Sequence, residues 1–365
     1  MSERSAQTIT RERKGLKVKT RKSSSTSEPL TAIFQDLSEH ARDYFGQEGP
    51  LEFQILEHQQ KRLSEIWRCA VSHNGWHTHI FIKMHKNPDH RDDRVLQFCA
   101  TEFDILKELY AAFAPYEQFG VVRPVAFYPR EMITITEEKA GDNLYNLLQK
   151  QSHRLARHKS FRELERYCYL CGKWLRVFQK ITSTGKTRHL EELGILANAD
   201  ERFRRWQALH LNQSLMRRVK ADLQERIRRL TDRKVPISGQ HGDFIPFNII
   251  VNPNEVTLLD FPYYCEGTVY HDLARFCTVL ITMAKKPQYS RRRMQRLVKN
   301  TLSGFAEYAD FDPDIFGVYL RYNMIDWVLW DEWLNRGDRK NRFWRRRVKS
   351  FYENCFRNFD HYAIA

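Results

Sequence analysis

The segment His241-Gly242-Asp243-Phe244-Ile245-Pro246-Phe247-Asn248, followed by Leu259-Asp260-Phe261, holds three groups suited to metal-assisted phosphoryl transfer. One carboxylate can orient and deprotonate an attacking hydroxyl. An Asn and a second Asp offer hard oxygen ligands for Mg²⁺, which bridges nucleotide phosphates. The step from Asp243 to Asn248 fits a loop that brings both side chains into one site. A turn at Asn252-Pro253-Asn254 and the strand after it would return Asp260 beside Asn248. Taken singly, Asp243 and Asn248 are ordinary turn residues and Asp260 an ordinary strand-end cap. Only the combination points to chemistry.

Such a set needs elements to position it. Leu51–Glu57, Leu63–Val71 and His77–Met84 read as strands, separated by polar turns at His58–Arg62 and Ser72–Gly75. A helix is expected from Asp92 to Phe113, with Phe98, Phe103, Leu106, Leu109 and Tyr110 at helical spacing. Strands Val121–Tyr128 and Met132–Thr136 follow. The order βββαββ describes a small antiparallel sheet with one main helix, preceded by a short helix over Phe34–Phe45. Beyond Asn143 helices dominate, at 161–182, 201–209, 213–231 and from Asp272 onward, with short strands at Ile237–Gln240, Asn248–Val251 and Thr257–Leu259. The expected organisation is a disordered basic tail over 1–30, a small β-rich lobe over 31–139 and a larger helical lobe over 140–365, with a cleft between the lobes.

With 365 residues, 42% of them hydrophobic, the chain can bury a sizeable core, which excludes wholesale disorder. No apolar run approaches the ~20 residues of a spanning helix, the longest being Cys277–Ala284, which excludes an integral membrane protein of the helical type. Seven scattered cysteines and no secretory signal point to a reduced, cytoplasmic setting. Cys168 and Cys171 share a C-x-x-C spacing, but they fall on the apolar stripe of a helix and read as packing. The net charge of +15 is concentrated: residues 1–22 carry eight basic and two acidic side chains, and 336–349 carry eight and one. These runs suit solvated faces, or attraction to phosphate, anionic lipid or nucleic acid. The carboxyl-terminal helix sets Trp344, Val348, Phe351, Tyr352 and Cys355 on one face, as packing against the large lobe or an anionic surface would require.

HGDFIPFNIIV, then LLDF, then Gly267 and Asp272-Leu273-Ala274 resembles the aminoglycoside phosphotransferase and choline-kinase type of the protein-kinase-like superfamily, whose pattern is HGDxxxxN, a following (I/L)DF and a later DLA. The resemblance covers roughly residues 50–335. It implies an α+β, bilobal protein-kinase-like fold and an ATP- and Mg²⁺-dependent kinase. Asp243 would be the catalytic base or hydroxyl-orienting residue, and Asn248 and Asp260 the magnesium ligands. His241 and Asp272 would brace the loop. Lys83, at the end of an apolar strand, stands where a kinase needs a cation over the α- and β-phosphates. Glu102 resembles the glutamate that orients this lysine, and the backbone of Glu137 and Lys139 would bond the adenine. The turn after the first strand lacks the glycine that lets backbone N–H groups approach phosphates, leaving Lys61 or Arg62 as the charge contact there.

Three functional readings follow. The first is a kinase of a small hydroxylated molecule, such as a sugar, an envelope-glycan component, an amino alcohol or an antibiotic, cytoplasmic and peripheral to an anionic membrane if the acceptor is lipid-linked. The second is a kinase of a macromolecule, protein or RNA, for which the basic runs would dock the substrate. The third is a non-catalytic nucleotide-binding module. Joint retention of Lys83, Asp243, Asn248 and Asp260 favours an enzyme.

Overall fold

The structure is a computed structural model that describes residues 28–61, 64–86, 93–208, 212–307, 311–335 and 342–359. Residues 1–27, most of the expected basic tail, lie outside the described residues, as does Arg62. The described chain divides into two compact units, one holding residues 28–141 together with Thr257–Pro262, the other the remainder.

In the first unit, helices α1 (Glu28–Glu39) and α2 (Ala41–Phe45) precede strands β1 (Glu52–Gln60), β2 (Ser64–His73) and β3 (Trp76–His85). Helix α3 (Asp93–Phe113) and strands β4 (Phe119–Val121), β5 (Pro124–Tyr128) and β6 (Ile133–Glu137) complete the order. β1, β2, β3, β6 and β5 form, in that spatial sequence, a five-stranded antiparallel sheet with β3 in the middle. Lys83 on β3 stands opposite Ile66 on one side and Thr134 on the other, so its backbone is held by two neighbours. Leu30, Ile33 and Leu37 of α1 join Trp67, Ile80, Ile82, Ile133 and Ile135 in one buried cluster. The hydroxyls of Tyr44 and Tyr128 both donate to Asp36, which ties α1 to α2 and β5.

Several local expectations shift. The first helix begins at Glu28 and buries Leu30, ahead of the boundary expected at 30. The turn expected at His58–Arg62 is strand as far as Gln60, because cross-strand partners reward extension: His58 stacks on Trp67 at 4.8 Å and meets Glu65 at 3.2 Å. The single strand expected over Val121–Tyr128 breaks before Pro124, where Val122 instead donates its N–H to Leu258. On α3 the buried stripe is Cys99, Glu102, Leu106, Leu109 and Phe113, whereas Phe98 and Tyr110 are exposed. Glu102, Leu106 and Leu109 lie on the buried side as expected, while Phe98 and Tyr110 depart from expectation.

The second unit begins with β7 (Asp142–Asn143), α4 (Leu144–Gln151) and α5 (His158–Ile181). Strand β8 (Thr187–His189), helices α6 (Ile195–Ala208) and α7 (Gln213–Arg229), and strands β9 (Lys234–Pro236) and β10 (Ser238–Gln240) lead to the Asp243 loop. After it come β11 (Ile249–Asn252), β12 (Glu255–Leu258, its last two residues in the first unit) and β13 (Cys265–Gly267). Helices α8 (Val269–Met283), α9 (Arg291–Ala306), α10 (Pro313–Asn335) and α11 (Arg342–Arg357) end the chain. No helix among the described residues is long and apolar enough to cross a membrane. Cys168 and Cys171 are wholly buried free thiols on α5, and burial raises the pKa of both, as packing residues require.

Two features hold this helical unit together. Helices α5 and α9 approach closely at Gly172 and Gly304, where an added Cβ would lie 2.1 Å from the Thr301 carbonyl oxygen and 2.0 Å from that of Tyr169. The carboxyl-terminal helix docks through Val348, Tyr352 and Cys355, all buried, which is the packing face expected of it. There the Tyr352 hydroxyl and the Lys285 ammonium both bond Asp331, and Arg347 caps the end of α8 through the Lys285 carbonyl at 2.9 Å. Arg347 is thus committed to structure; of the expected basic cluster, residues 336–341 lie outside the described residues.

Two stability outcomes follow. Gly304→Ala should lower the urea midpoint by the equivalent of about 2–3 kcal/mol, because the carbonyl it meets belongs to a packed helix that cannot yield. Asp331→Ala should cost about 3–5 kcal/mol in the same measurement, since it strands the Lys285 charge in a buried place.

Candidate active site

The loop between β10 and α8 is organised by Asp272, which is fully buried in the first turn of α8. Its Oδ2 accepts the N–H of His241 at 2.7 Å and its Oδ1 that of Gly242 at 2.9 Å. A carboxylate in the first helical turn also sits at the positive end of the helix dipole. Nδ1 of His241, itself fully buried, accepts the N–H of Asp243 at 3.1 Å. Gly242 bends the chain at φ +79°, and a Cβ there would lie 2.7 Å from Tyr263. Phe244 then anchors the loop in the core, stacked on Trp174 at 5.6 Å and against Phe276 at 5.4 Å. A 3₁₀ turn over Pro246–Asn248 brings Asn248 back to Asp243.

The Asp243 carboxylate is gripped from two sides. Nδ2 of Asn248 donates to its Oδ2 and to its main-chain carbonyl, both at 3.1 Å. Arg275 donates to Oδ1 through Nε at 3.0 Å and Nη2 at 2.7 Å. The sequence reading did not include Arg275, although it stands one helical turn after Asp272 and therefore on the same face of α8. The guanidinium lies 5.8 Å from the ring centre of Trp327 on α10, whose indole N–H is held by Thr282 at 2.6 Å.

The second group is in the other unit. Lys83 reaches Asp260 at 3.2 Å. Asp260 adopts a left-handed backbone, φ +52°, which Asp tolerates better than most residues. Glu102 forms no direct ion pair with Lys83. Its Oε1 accepts the N–H of Phe261 at 3.1 Å, so it braces the residue after Asp260, while Oε2 is buried without a hydrogen-bond partner. Burial raises the Glu102 pKa, against the pull of the nearby Lys83 charge. Burial works to lower the Lys83 pKa, but the attraction of Asp260 and then Glu102 leaves it raised, so the ammonium is charged. His85, two residues along β3, is pushed down to about 4 by burial and by Lys83, and is neutral near pH 7.

Glu137 commits its backbone N–H to the Arg123 carbonyl at 2.9 Å and its carboxylate to Thr78 and Arg123. Glu138 donates its N–H to His79 at 2.8 Å, and its carboxylate accepts Arg68 at 3.0 and 2.9 Å. Lys139 follows, half-buried. Lys61, at the end of β1, is exposed, and its N–H closes the turn onto the Ser64 carbonyl at 2.8 Å. Among the described residues no group of three or more His, Cys, Asp or Glu side chains forms a metal site by itself.

The fold has relatives among solved structures. The chain is similar to a putative aminoglycoside phosphotransferase from Ralstonia eutropha, at 13% identity and TM-score 0.57, over 92% of this chain and 98% of that one. It is similar to a macrolide 2'-phosphotransferase from Brachybacterium faecium, at 14% identity and TM-score 0.52, over 89% and 98%. A choline kinase from Cryptosporidium parvum matches at 13% identity and TM-score 0.50, over 92% and 98%. These likenesses establish an α+β, protein-kinase-like fold. No curated protein sequence matches the chain. The model of the phosphotransferase enzyme family matches residues 86–311, a span that takes in Glu102, the Asp243 loop, Asp260 and Arg275, and the chain belongs to that family.

Proposed function

We propose that the protein is an ATP-dependent kinase that transfers the γ-phosphoryl group to a hydroxyl of a small molecule. The observation that carries this reading is the state of the Asp243 carboxylate. A carboxylate offers about four lone-pair positions. Arg275 takes two on Oδ1 and Asn248 takes one on Oδ2, which leaves one on Oδ2 for an acceptor hydroxyl. Pinned in this way, Asp243 orients the hydroxyl and receives its proton as the new oxygen–phosphorus bond forms and ADP departs.

The residues fit the nucleotide and the metal. The nitrogen of the Asn248 amide is spent on Asp243, so the oxygen, the hard donor, is the atom suited to a cation. Asp260 keeps its side chain half exposed. Each of these two residues offers a hard oxygen donor of the kind that a magnesium ion takes together with phosphate oxygens and water. Bound Mg²⁺ would neutralise charge on the phosphates during transfer. Lys83, in the first unit, offers a positive charge to nucleotide phosphates. Along the 137–139 segment the N–H groups of Glu137 and Glu138 are already bonded to the Arg123 and His79 carbonyls.

Asp243→Asn should reduce acceptor phosphorylation by about 10²-fold or more while leaving Mg·ATP affinity near that of the wild type. Asp260→Asn should instead weaken Mg²⁺-dependent nucleotide binding, because it removes the anionic ligand. Isothermal titration with ATP, with and without Mg²⁺, beside single-turnover kinetics separates the two. Equal loss of nucleotide binding in both variants would refute the division of roles.

A further inference from the structure

The surroundings of Asp243 carry a charge pattern that selects the acceptor. A cationic acceptor, whether an ammonium or a quaternary amine, is recognised by a carboxylate or by the face of an aromatic ring. Beside Asp243 two carboxylates and two aromatic rings on α10 or facing it already hold an arginine. Oδ1 of Asp243 holds Arg275, and the Trp327 ring lies within 5.8 Å of the same guanidinium. Asp326 on α10 pairs with Arg202 of α6 through both of its oxygens, and the Arg202 guanidinium lies 4.6 Å from the Tyr322 ring centre. Tyr322 feels both cations: burial pushes its phenol up to about 12, while Arg202 and Arg275 pull it down. The remaining carboxylate, Asp272, is buried and spent on two backbone N–H groups.

What the cluster retains is donor capacity. Of the five N–H groups of the Arg275 guanidinium, two go to Asp243, and its side chain keeps a fifth of its surface open, at 21%. We propose that Arg275 forms an anion subsite in the acceptor pocket, so that the acceptor is a hydroxylated carboxylate or phosphate rather than an amine. The acceptor's anionic group bonds the remaining N–H groups of Arg275 while its hydroxyl donates to Oδ2 of Asp243. This rests on the reading of Asp243 as the residue that receives the hydroxyl. It sets the chain apart from the choline kinase and the aminoglycoside phosphotransferase that share its fold.

The test titrates the full-length protein with sugars on one scaffold: glucose, glucosamine, glucuronate and glucose 6-phosphate, with choline added as a quaternary amine. Glucuronate or glucose 6-phosphate should bind about tenfold or more tightly than glucose, and the two amines more weakly than glucose. The comparison of the two anionic probes tells carboxylate from phosphate. Arg275→Gln should erase the preference for the anions, and Arg275→Lys should keep it in reduced form, because it retains charge without the planar fork. Melting curves and Mg·ATP binding establish that each variant is folded. Should Arg275→Gln fail to fold, Arg275→Lys decides, and an undiminished anion preference there overturns the proposal. It is also overturned if either amine binds as tightly as the anions, if neither anion binds up to about 10 mM, or if Arg275→Gln keeps the wild-type order. Magnesium-dependent ATP hydrolysis, measured separately and compared with Asp243→Asn, reports on the kinase reading alone. Loss of that activity with the anion preference intact would remove the reaction and leave the subsite.

Discussion

Asp272 holds its carboxylate with no exposed surface, and a buried carboxylate charge costs several kcal/mol unless it is met by donors. The donors are the backbone N–H groups of His241 and Gly242, helped by the helix dipole at the start of α8. Meeting that charge dictates the path of the chain. The loop must present two successive N–H groups to one carboxylate, which requires the left-handed turn at Gly242 and directs His241 back onto Asp243. Asn248 and Arg275 then find the Asp243 carboxylate where this path leaves it. Each later contact at the site presupposes the earlier one, so the geometry of Asp243 derives from a fully buried residue.

The first unit solves a related problem with a different set of charges. Lys83 is held on the middle strand of a sheet and pulled toward Asp260, while Glu102 stabilises the backbone just beyond Asp260. The unpartnered Oε2 of Glu102 lies buried near an ammonium that currently bonds a different carboxylate. Neighbouring His85 stays neutral, so it does not compete with Lys83 for the carboxylates. The same cation thus has two anions within electrostatic reach, one exposed and one buried, and only the exposed one is directly bonded.

The basic character of the chain takes on a more specific meaning in this light. Bulk charge says only that anions are attracted in general. The arginines at 202 and 275 are different, because both are half-buried, bonded to a carboxylate and set beside an aromatic ring. Charge fixed in this way is the basis of the proposed acceptor choice, whereas bulk charge alone would only concentrate anions. Arg347, from the carboxyl-terminal run, shows the opposite case: it is absorbed as a helix cap.

The sequence by itself determined the elements and the reaction class. Period-two and period-3.6 patterns located the sheet strands and the main helices, and the motif of Asp243, Asn248, Asp260 and Asp272 resembles that of a phosphotransferase family, the family whose model matches the chain. It also placed Cys168, Cys171 and the carboxyl-terminal apolar face in the core, since burial leaves a periodic trace. Partner choice left no such trace. That Lys83 bonds Asp260 while Glu102 bonds the Phe261 backbone depends on where a strand, a helix and a distant loop meet, and no local pattern encodes it. On α3 the spacing of Glu102, Leu106 and Leu109 already put the carboxylate inward, whereas packing decided that Cys99 joins that face and Phe98 does not. Arg275 was hidden for the same reason: an arginine on a helix is ordinary until the fold sets it against the Asp243 carboxylate. Tertiary structure therefore decided the electrostatics of the site, because charge interactions depend on distances across the fold and sequence spacing reports only distances along the chain.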